Sequence, residues 1–335
     1  MNKILNISSK RRANTFETIA KKLKIVPPSV EKDVWVTVVL RALFALPYAE
    51  HLSFKGGTSL NKCYNLIERF SEDIDIAINR DFLGYGGTLS KNQINDRLRR
   101  AACTFVREKL QYDVAKQMEI QGIVKNIFSV KVNITPISTT DPEIIEVHYK
   151  SSYNELNYLK PVVKLEISGR SMTEPVRKVA LQSLVDEVFP VASFADNSFE
   201  VNAVVPERTF WEKICLLHEE FAQLPEFIRT ERMSRHLYDL AKIYDAGIAE
   251  KALEDKGLYN SIVEHRRIFI GLKGFDYSTL APKTINIIPP DGVIDLWQQD
   301  YETMRETMIY GNSLSFNVLI DKIKQLNERI NNIIW

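Results

Sequence analysis

The stretch of sequence that decides the fold runs from Phe54 to Ile78 and reads FKGGTSLNKCYNLIERFSEDIDIAI. It opens with two adjacent glycines, Gly56 and Gly57, and closes with DIDIAI, in which isoleucine alternates with aspartate or alanine. Strict alternation is typical of a strand with one buried face. Glycines placed between a strand and a helix let a ligand approach the backbone N–H groups closely. We therefore expect a strand, a glycine turn, a helix and a second strand.

Between the glycines and the aspartates, apolar residues recur at helical spacing. This spacing predicts one helix over TSLNKCYNLIERF, with Thr58 or Ser59 as its N-cap. The residues that define the stripe are Leu60, Cys63, Tyr64, Ile67 and Phe70.

The two aspartates of DIDIAI, Asp73 and Asp75, point to the same face if the segment is a strand. On a helix they would point in nearly opposite directions, so the spacing is useful only in the strand. Two carboxylates on one face repel each other unless solvent or a cation lies between them. Mg²⁺ or Mn²⁺ is a suitable counter-charge, because hard divalent ions prefer oxygen ligands. The alternative is the solvated face of an edge strand.

A third carboxylate is expected on a neighbouring strand. In PVVKLEIS the alternation places the apolar residues on one face and Lys164 and Glu166 on the other. Glu166 could act as a general base or complete a metal site with Asp73 and Asp75. A surface glutamate is the alternative.

The glycine turn is a candidate site for the phosphates of a nucleoside triphosphate (NTP), because phosphate oxygens bind well to backbone N–H groups at a helix N-terminus. The sequence contains no GxxxxGK[ST], so the turn is not a P-loop. A plain tight turn is the alternative. The predicted phosphate contacts of the turn are the backbone N–H groups at Gly56 and Gly57.

The remaining segments predict a two-part chain of the α+β class. SVEKDVWVTVVLRALFAL is typical of a buried helix, with Ser29 as its N-cap, and FSVKVNIT, IIEVHYKS and PVVKLEIS predict neighbouring strands of an antiparallel or mixed sheet. After Pro206 the pattern is helical. We therefore expect an α/β domain with an N-terminal helix at residues 1–205 and a helical domain at residues 206–335.

Composition narrows the class of protein. The 335 residues include 44 Lys and Arg against 43 Asp and Glu, so no global field recruits nucleic acid. The three cysteines are far apart and fit a reducing compartment rather than a zinc site. No secretion signal is visible, and the longest apolar stretch is interrupted by Arg41 and too short to span a bilayer. We expect no membrane partner and a cytoplasmic location.

GGTSLNKCYNLIERFSEDIDIAI resembles the two leading motifs of the AbiEii/AbiGii-type nucleotidyltransferases, a branch of the DNA polymerase β-like superfamily. VEKDVWVTVVLRALF resembles the entry helix of that family, and VVKLEISGRS its third-carboxylate strand. PERTFWEKICLLHEE, SRHLYDLAKIYD and LWQQDYETMRETMIYG resemble its helical motifs, so the resemblance extends over nearly the whole chain. It implies a polymerase β-like mixed sheet with flanking helices, followed by a helical part that closes the active site.

The resemblance also implies residue roles. Lys213 matches a lysine that contacts the nucleotide phosphates, and Asp239 matches an acidic residue that lines the site. The other residues that the resemblance implies as triphosphate contacts are Lys55, Gly56, Gly57, Thr58 and Ser59. Some members read R-D-L-Y-D where this chain has His236 as the second residue, so one carboxylate is missing here. The expected metal ligands are Asp73, Asp75 and Glu166. The expected catalytic residues are these three with Lys213 and Asp239, and either Glu166 or Asp239 is the general base.

The implied activity is metal-dependent transfer of a nucleoside monophosphate from an NTP to an acceptor hydroxyl, with the 3′ end of tRNA as the first candidate. The implied setting is the toxin of a bacterial toxin–antitoxin or phage-defence (abortive infection) pair with a separately encoded antitoxin. If the acceptor is RNA, the candidate phosphate contacts are the basic runs at residues 10–12 and 97–100 with Arg229, Arg232 and Arg235. Two alternatives are transfer to a protein or small molecule, and a catalytically silent nucleotide-binding module. The sequence selects no particular NTP.

Overall fold

The computed structural model describes residues 1–71, 73–133, 143–153 and 160–335. These residues form two compact units. The sheet unit consists of Met1–Cys63 and Ser71–Val204, and the helical unit consists of Tyr64–Phe70 and Val205–Trp335. The domain division expected after residue 205 assigned the short segment Tyr64–Phe70 to the first part, whereas its contacts lie with the helical unit.

The sheet unit contains one seven-stranded sheet with the order β3-β4-β5-β2-β1-β7-β6. The pairs β2–β5 and β1–β7 are parallel, and the other neighbouring pairs are antiparallel. The expected α+β class with a mixed sheet is therefore confirmed. The strands are β1 (Leu52–Lys55), β2 (Asp73–Ile78), β3 (Phe128–Asn133), β4 (Glu143–Tyr149), β5 (Val162–Ser168), β6 (Val176–Leu181) and β7 (Phe199–Val204).

Helices accompany the sheet within the same unit. Two π-helical turns, Gln93–Leu98 and Val106–Leu110, precede α4 and α5, and single 3₁₀ turns lie at Lys3–Asn6, Ala49–His51 and Lys125–Ile127. The α-helices are α1 (Ser9–Leu23), α2 (Pro27–Leu43), α3 (Gly56–Lys62), α4 (Arg99–Phe105), α5 (Gln111–Ile120) and α6 (Leu184–Val188).

One face of the sheet is apolar and buried. Ile74, Ile76 and Leu165 are at most 1% exposed. Helix α2 covers this face, and its Trp35 stacks on Tyr149 of β4 with ring centroids 4.8 Å apart. The alternation of β2 and β5 therefore places their polar side chains on the opposite face, away from this core.

The start of helix α2 differs from the prediction. Its first turn is occupied by Pro27 and Pro28, and Val26 is the N-cap, so the prediction of Ser29 as N-cap was wrong. Proline is favoured in the first helical turn because its missing N–H has no intrahelical acceptor there. Ser29 is buried instead, at 1% exposure.

Helix α3 is shorter than its hydrophobic spacing predicted. It begins at Gly56 with Lys55 as its N-cap and ends at Lys62, and no side chain caps it, so the predicted caps Thr58 and Ser59 were wrong. The chain leaves the helix through Asn65, which has a left-handed φ of 50°. Beyond that point the apolar residues pack in the helical unit, which overrides the local helical pattern.

The helical unit is built from six α-helices in its described residues, with a π-helical turn at Arg266–Ile270 and 3₁₀ turns at Pro225–Phe227 and Tyr277–Thr279. Its core contains large aromatic residues, including Trp211, whose Nε1 donates to Ala252 O at 2.9 Å. The helices are α7 (Pro206–Phe221), α8 (Arg235–Asp245), α9 (Ile248–Glu254), α10 (Lys256–His265), α11 (Ile294–Thr307) and α12 (Phe316–Asn331).

The segment Tyr64–Phe70 is held in the helical unit by backbone and ring contacts. The Phe70 N–H donates to Met308 O at 2.9 Å, and the Tyr310 N–H donates to Glu68 O at 3.0 Å. The rings of Phe70 and Tyr310 lie 4.8 Å apart. No helix in the described part of the chain is long and apolar enough to cross a membrane.

Candidate active site

The carboxylate pair lies on β2, on the polar face of the sheet. Ile74 and Ile76 alternate with Asp73 and Asp75 and are buried in the core, whereas both aspartates are half-buried. The buried isoleucines fix the register of the strand, because a slip of one residue would place the carboxylates in the core. The sheet thus presents both carboxylates on one face.

The neighbouring strands place two further charged residues beside Asp75. In the parallel pairing of β2 with β5, Asp75 lies opposite Glu166, and in the antiparallel pairing with β1 it lies opposite Lys55. Adjacent strands are about 4.8 Å apart, so residues in register on one face are neighbours. Lys55 also donates from Nζ to Ser171 Oγ at 3.3 Å. The structure therefore brings Lys55, Asp75 and Glu166 into one row across three strands.

The glycine turn is in direct contact with this row. Gly56 has a φ of 77°, a left-handed conformation that side chains rarely adopt. A Cβ added at Gly56 would collide with Oδ2 of Asp75 and lie 3.2 Å from Asp75 Cβ. The Asp75 carboxylate thus lies against the turn, and only glycine leaves room for it.

The carboxylate oxygen Oδ1 of Asp73, at the start of β2, is buried and has no hydrogen-bond partner among the described residues. Thr58 Oγ1, in contrast, donates to the backbone oxygen of Asp73 at 2.5 Å. A buried polar atom without a partner costs about 1–3 kcal/mol, so proteins rarely keep one unless it has a role. A cation bound by the Asp73 carboxylate would satisfy this atom.

The donor set fits a divalent cation that shares its ligands with a nucleotide. Mg²⁺ is usually held by one or two carboxylates together with substrate phosphates rather than by a complete protein cage. Asp73 and Asp75 are such a pair, and no described residue forms a hydrogen bond with the buried Oδ1 of Asp73. Over the described residues, no three His, Cys, Asp or Glu side chains are grouped as a metal site. Glu166 as a third metal ligand therefore stays a prediction.

The remaining predicted residues, Lys213 on α7 and Asp239 on α8, meet within the helical unit. Lys213 Nζ lies 2.9 Å from Asp239 Oδ2 and 3.2 Å from His236 Nδ1. Both side chains are buried, with Asp239 fully inaccessible and Lys213 at 7% exposure. The prediction that these residues close over the sheet unit's carboxylates remains a prediction.

Arg69 completes this cluster. Its Nε and Nη2 donate to the two carboxylate oxygens of Asp239, each at 2.7 Å, and its side chain is 3% exposed. Paired, bidentate arginine–carboxylate contacts are among the strongest hydrogen bonds in proteins. Sequence reasoning missed Arg69 because its partner lies 170 residues away along the chain. Its only sequence signal is its position four residues before Asp73.

Burial and charge shift the ionisation of the whole cluster. Burial alone would raise the pKa of Asp239, but the charges of Arg69 and Lys213 prevail and hold it below its ordinary value. Burial lowers the pKa of Lys213, against the opposing effect of Asp239. Burial, followed by the charge of Lys213, holds the pKa of His236 well below its ordinary value. Asp239 is therefore ionised and His236 is neutral at physiological pH.

With this geometry established, the chain can be compared with known proteins. The sequence profile described as nucleotidyl transferase AbiEii toxin, type IV toxin–antitoxin system, matches residues 38–322. The chain belongs to the AbiEii family. AbiEii toxins are nucleotidyltransferases, so both the resemblance read from the motifs and the enzyme class are confirmed.

The AbiEii chain is also similar to a solved structure, MenT4, a nucleotidyltransferase toxin from Mycobacterium tuberculosis H37Rv. The identity is 14% and the TM-score 0.44, over 95% of this chain and 99% of MenT4. No curated protein matches the sequence significantly.

Proposed function

We propose that this AbiEii chain transfers a nucleoside monophosphate from an NTP to an acceptor hydroxyl, in a metal-dependent reaction that releases pyrophosphate. The observation that carries the proposal is the contact between the Asp75 carboxylate and the Gly56 turn. It joins a carboxylate pair to a backbone suited to phosphate, and among the described residues the buried Asp73 Oδ1 has no hydrogen-bond partner.

The turn from Lys55 to Ser59 would bind the triphosphate, with the Ser59 hydroxyl as a side-chain donor. Asp73 and Asp75 would hold Mg²⁺ or Mn²⁺, which supplies charge neutralisation at the α-phosphate and the leaving pyrophosphate. Lys213 is proposed, from the family resemblance, to bind the nucleotide's phosphates. Lys55 adds a positive charge in the same row as Asp75.

Of the two candidate general bases, Asp239 is disfavoured by its contacts. A base must accept a proton at neutral pH, and its effectiveness falls as its pKa falls. Asp239 has both oxygens engaged by Arg69 and a pKa held below its ordinary value. Glu166 is only half-buried and lies in register with Asp75. We therefore assign deprotonation of the acceptor hydroxyl to Glu166 and an anchoring role to Asp239.

The proposed acceptor is RNA, and the 3′ end of tRNA is the first candidate. We propose that the protein is a toxin that acts in the cytoplasm and is controlled by a separately encoded antitoxin. Its proposed biological role includes abortive infection, which is a defence against phage. The type IV toxin–antitoxin description of the family supports the antitoxin. Of the predicted RNA contacts, Arg229 is 65% exposed in its side chain although it pairs with Glu220. Such exposed basic residues suit phosphate contacts.

The acceptor class and the activity are tested together by transfer of label from each α-labelled NTP into total RNA and total protein. The wild type is compared with Asp75→Asn and with the control Glu200→Gln, which removes an exposed carboxylate from β7. Metal-dependent label in RNA, lost only in Asp75→Asn, is the expected result. Label in protein or in a small molecule would instead establish the second acceptor class. No label in any fraction despite NTP binding would refute the proposal in favour of a silent nucleotide-binding module.

A growth experiment tests the toxin role separately. Expression of the wild type should slow a bacterial host, whereas Asp73→Ala should not, because it removes a carboxylate proposed to be essential for transfer. Equal growth of the two strains at equal protein levels would exclude toxicity by this reaction without bearing on the transfer chemistry.

A further inference from the structure

A cavity of about 510 Å³ lies within the sheet unit, where α1 and α2 meet the chain that leaves β4. Its volume is within the range of about 300–1,000 Å³ that is usual for small-molecule sites. Helix α2 covers the face of the sheet opposite to Asp73 and Asp75, and no residue of the carboxylate row lines the cavity. A ligand in this cavity would therefore bind apart from the proposed transfer site.

Hydrogen bonds hold the walls of the cavity in place. The Glu31 carboxylate of α2 is 2% exposed and accepts from Ser151 Oγ at 2.5 Å and from the Ser152 N–H at 2.9 Å. Arg12 of α1 donates to Leu5 O at 3.0 Å and to Ser152 Oγ at 3.4 Å. Segments that are far apart in sequence are thus fixed around the cavity, and a preformed site costs a ligand less ordering entropy.

The charged side chains that line the cavity are mainly basic. The basic ones are Lys10, Arg12 and Lys150, and the acidic one is Glu31, so the lining has an excess of two positive charges. No described residue forms an ion pair or a side-chain hydrogen bond with Lys10 or Lys150. The Ser152 hydroxyl accepts from Arg12, which leaves its own O–H as a donor. The cavity therefore offers ammonium and hydroxyl donors to an anion.

Charge and shape together indicate the class of ligand. A phosphate monoester carries a charge of about −1.5 to −2 at pH 7 and has three acceptor oxygens. It matches the excess of two positive charges better than a carboxylate or a phosphodiester, which each carry a single charge. Leu5, Trp35 and Ile127 make another part of the lining apolar, which suits a planar ring. A phosphate monoester joined to a planar heterocycle combines both features.

We propose that this cavity binds a nucleoside monophosphate, with its phosphate on Lys10, Lys150 and Ser152 and its base against the apolar lining. The inference goes beyond the proposed function, because it assigns a second nucleotide site on the other face of the sheet. It does not depend on nucleotidyl transfer.

Binding of AMP to the full chain, measured by calorimetry in EDTA, tests the proposal. Without a divalent ion the carboxylate pair repels a phosphate, so the transfer site should contribute little. Lys150→Gln loses a charged donor to the phosphate, and we expect its Kd for AMP to rise about tenfold. Adenosine, which lacks the phosphate, should bind more weakly than AMP by a similar factor. Lys125→Gln, in an exposed pair with Glu119, is the matched control and should stay within about twofold of the wild type.

Two further variants locate the bound AMP. Ala13 lines the cavity, so Ala13→Phe fills it without changing its charge and should weaken AMP binding about tenfold or more. Asp75→Asn, on the opposite face of the sheet, should bind AMP in EDTA as the wild type does. Far-UV circular dichroism identifies variants that do not fold, and Lys10→Gln, at an exposed position of α1, replaces any that fail.

Several outcomes would overturn the inference. These are no detectable AMP binding, equal affinity in the wild type, Lys150→Gln and Ala13→Phe, and loss of AMP binding in Asp75→Asn alone. A single-stranded RNA with a 5′-hydroxyl that binds more tightly than AMP, and is weakened by Lys150→Gln, would assign the cavity to an RNA strand and refute the monophosphate. A chain that binds AMP in this way but transfers no nucleotide would refute the proposed function and leave the inference standing.

Discussion

Replacing Gly56 by alanine tests the contact on which the proposed site depends. An alanine with the left-handed backbone of Gly56 is destabilised by about 1 kcal/mol. The added Cβ also collides with the Asp75 carboxylate, and such overpacking typically costs about 1–3 kcal/mol. We therefore expect Gly56→Ala to lower the free energy of unfolding by about 3 kcal/mol and to displace the Asp75 side chain.

A control and a double variant separate these two contributions. Gly84 has a φ of 83°, and apart from its chain neighbours no described residue has an atom within 4 Å of an added Cβ, so Gly84→Ala should lose only about 1 kcal/mol. In an Asp75→Ala background the colliding oxygen is absent and only Asp75 Cβ remains, at 3.2 Å. There the effect of Gly56→Ala should fall to about 1–2 kcal/mol, which is a coupling energy of about 1–2 kcal/mol.

The assay is urea-induced unfolding followed by circular dichroism. The midpoint and slope of the transition are compared among the wild type, the three single variants and the one double variant. Equal destabilisation by Gly56→Ala and Gly84→Ala would refute the proposed contact. So would a Gly56→Ala effect that is unchanged by Asp75→Ala. In the transfer assay Gly56→Ala should lose activity, whereas Gly84→Ala should retain it.

Three further results are expected. Asp73→Asn should abolish transfer but leave the free energy of unfolding unchanged or raise it by up to about 1 kcal/mol, because it removes the charge of a carboxylate whose Oδ1 has no hydrogen-bond partner among the described residues. A loss of more than about 1 kcal/mol in urea unfolding would contradict this prediction. The wild type should lose stability below about pH 6.5, because His236 is protonated there in the unfolded chain but not in the folded chain, and the free energy of unfolding then falls by at most about 1.4 kcal/mol per pH unit for this one group. His236→Asn should reduce this loss. Parallel curves of stability against pH for the two proteins would contradict the prediction. Added MgCl2 should tighten the binding of inorganic triphosphate to the wild type but not to Asp75→Asn, as measured by calorimetry with EDTA as the metal-free reference. Equal tightening in both proteins would exclude Asp75 as a metal ligand.

The sheet-unit site could largely be predicted because its signals are local. The alternation in DIDIAI fixes the face of Asp73 and Asp75, and the alternation in PVVKLEIS fixes the face of Glu166. The register that sets Glu166 opposite Asp75 was not predictable, because strands far apart in sequence pair through the tertiary fold. The collision between a Gly56 side chain and Asp75 likewise depends on that pairing.

The segment after α3 shows where local pattern failed. Its apolar spacing predicted a helix as far as Phe70, but the helix ends at Lys62. Ile67 is buried at 1% exposure and Phe70 packs on Tyr310, so the same apolar residues are used in the helical unit. A short helix has little stability of its own, and tertiary packing decides its length. The helical pattern predicted after Pro206, in contrast, agrees with α7, which begins at Pro206.

The sequence by itself determined the strand faces, the glycine turn, the helical character of the second half and the family, because each follows from local periodicity or from motifs that are continuous in the chain. Only the tertiary structure decided that Asp239 is paired with Arg69 across 170 residues, and that His236 is a neutral acceptor for Lys213. Ionisation of a buried group depends on which charges surround it, and these charges come from segments that only folding brings together. The same stretch from Phe54 to Ile78 therefore contributes its glycines and aspartates to the sheet unit and Arg69 to the helical unit.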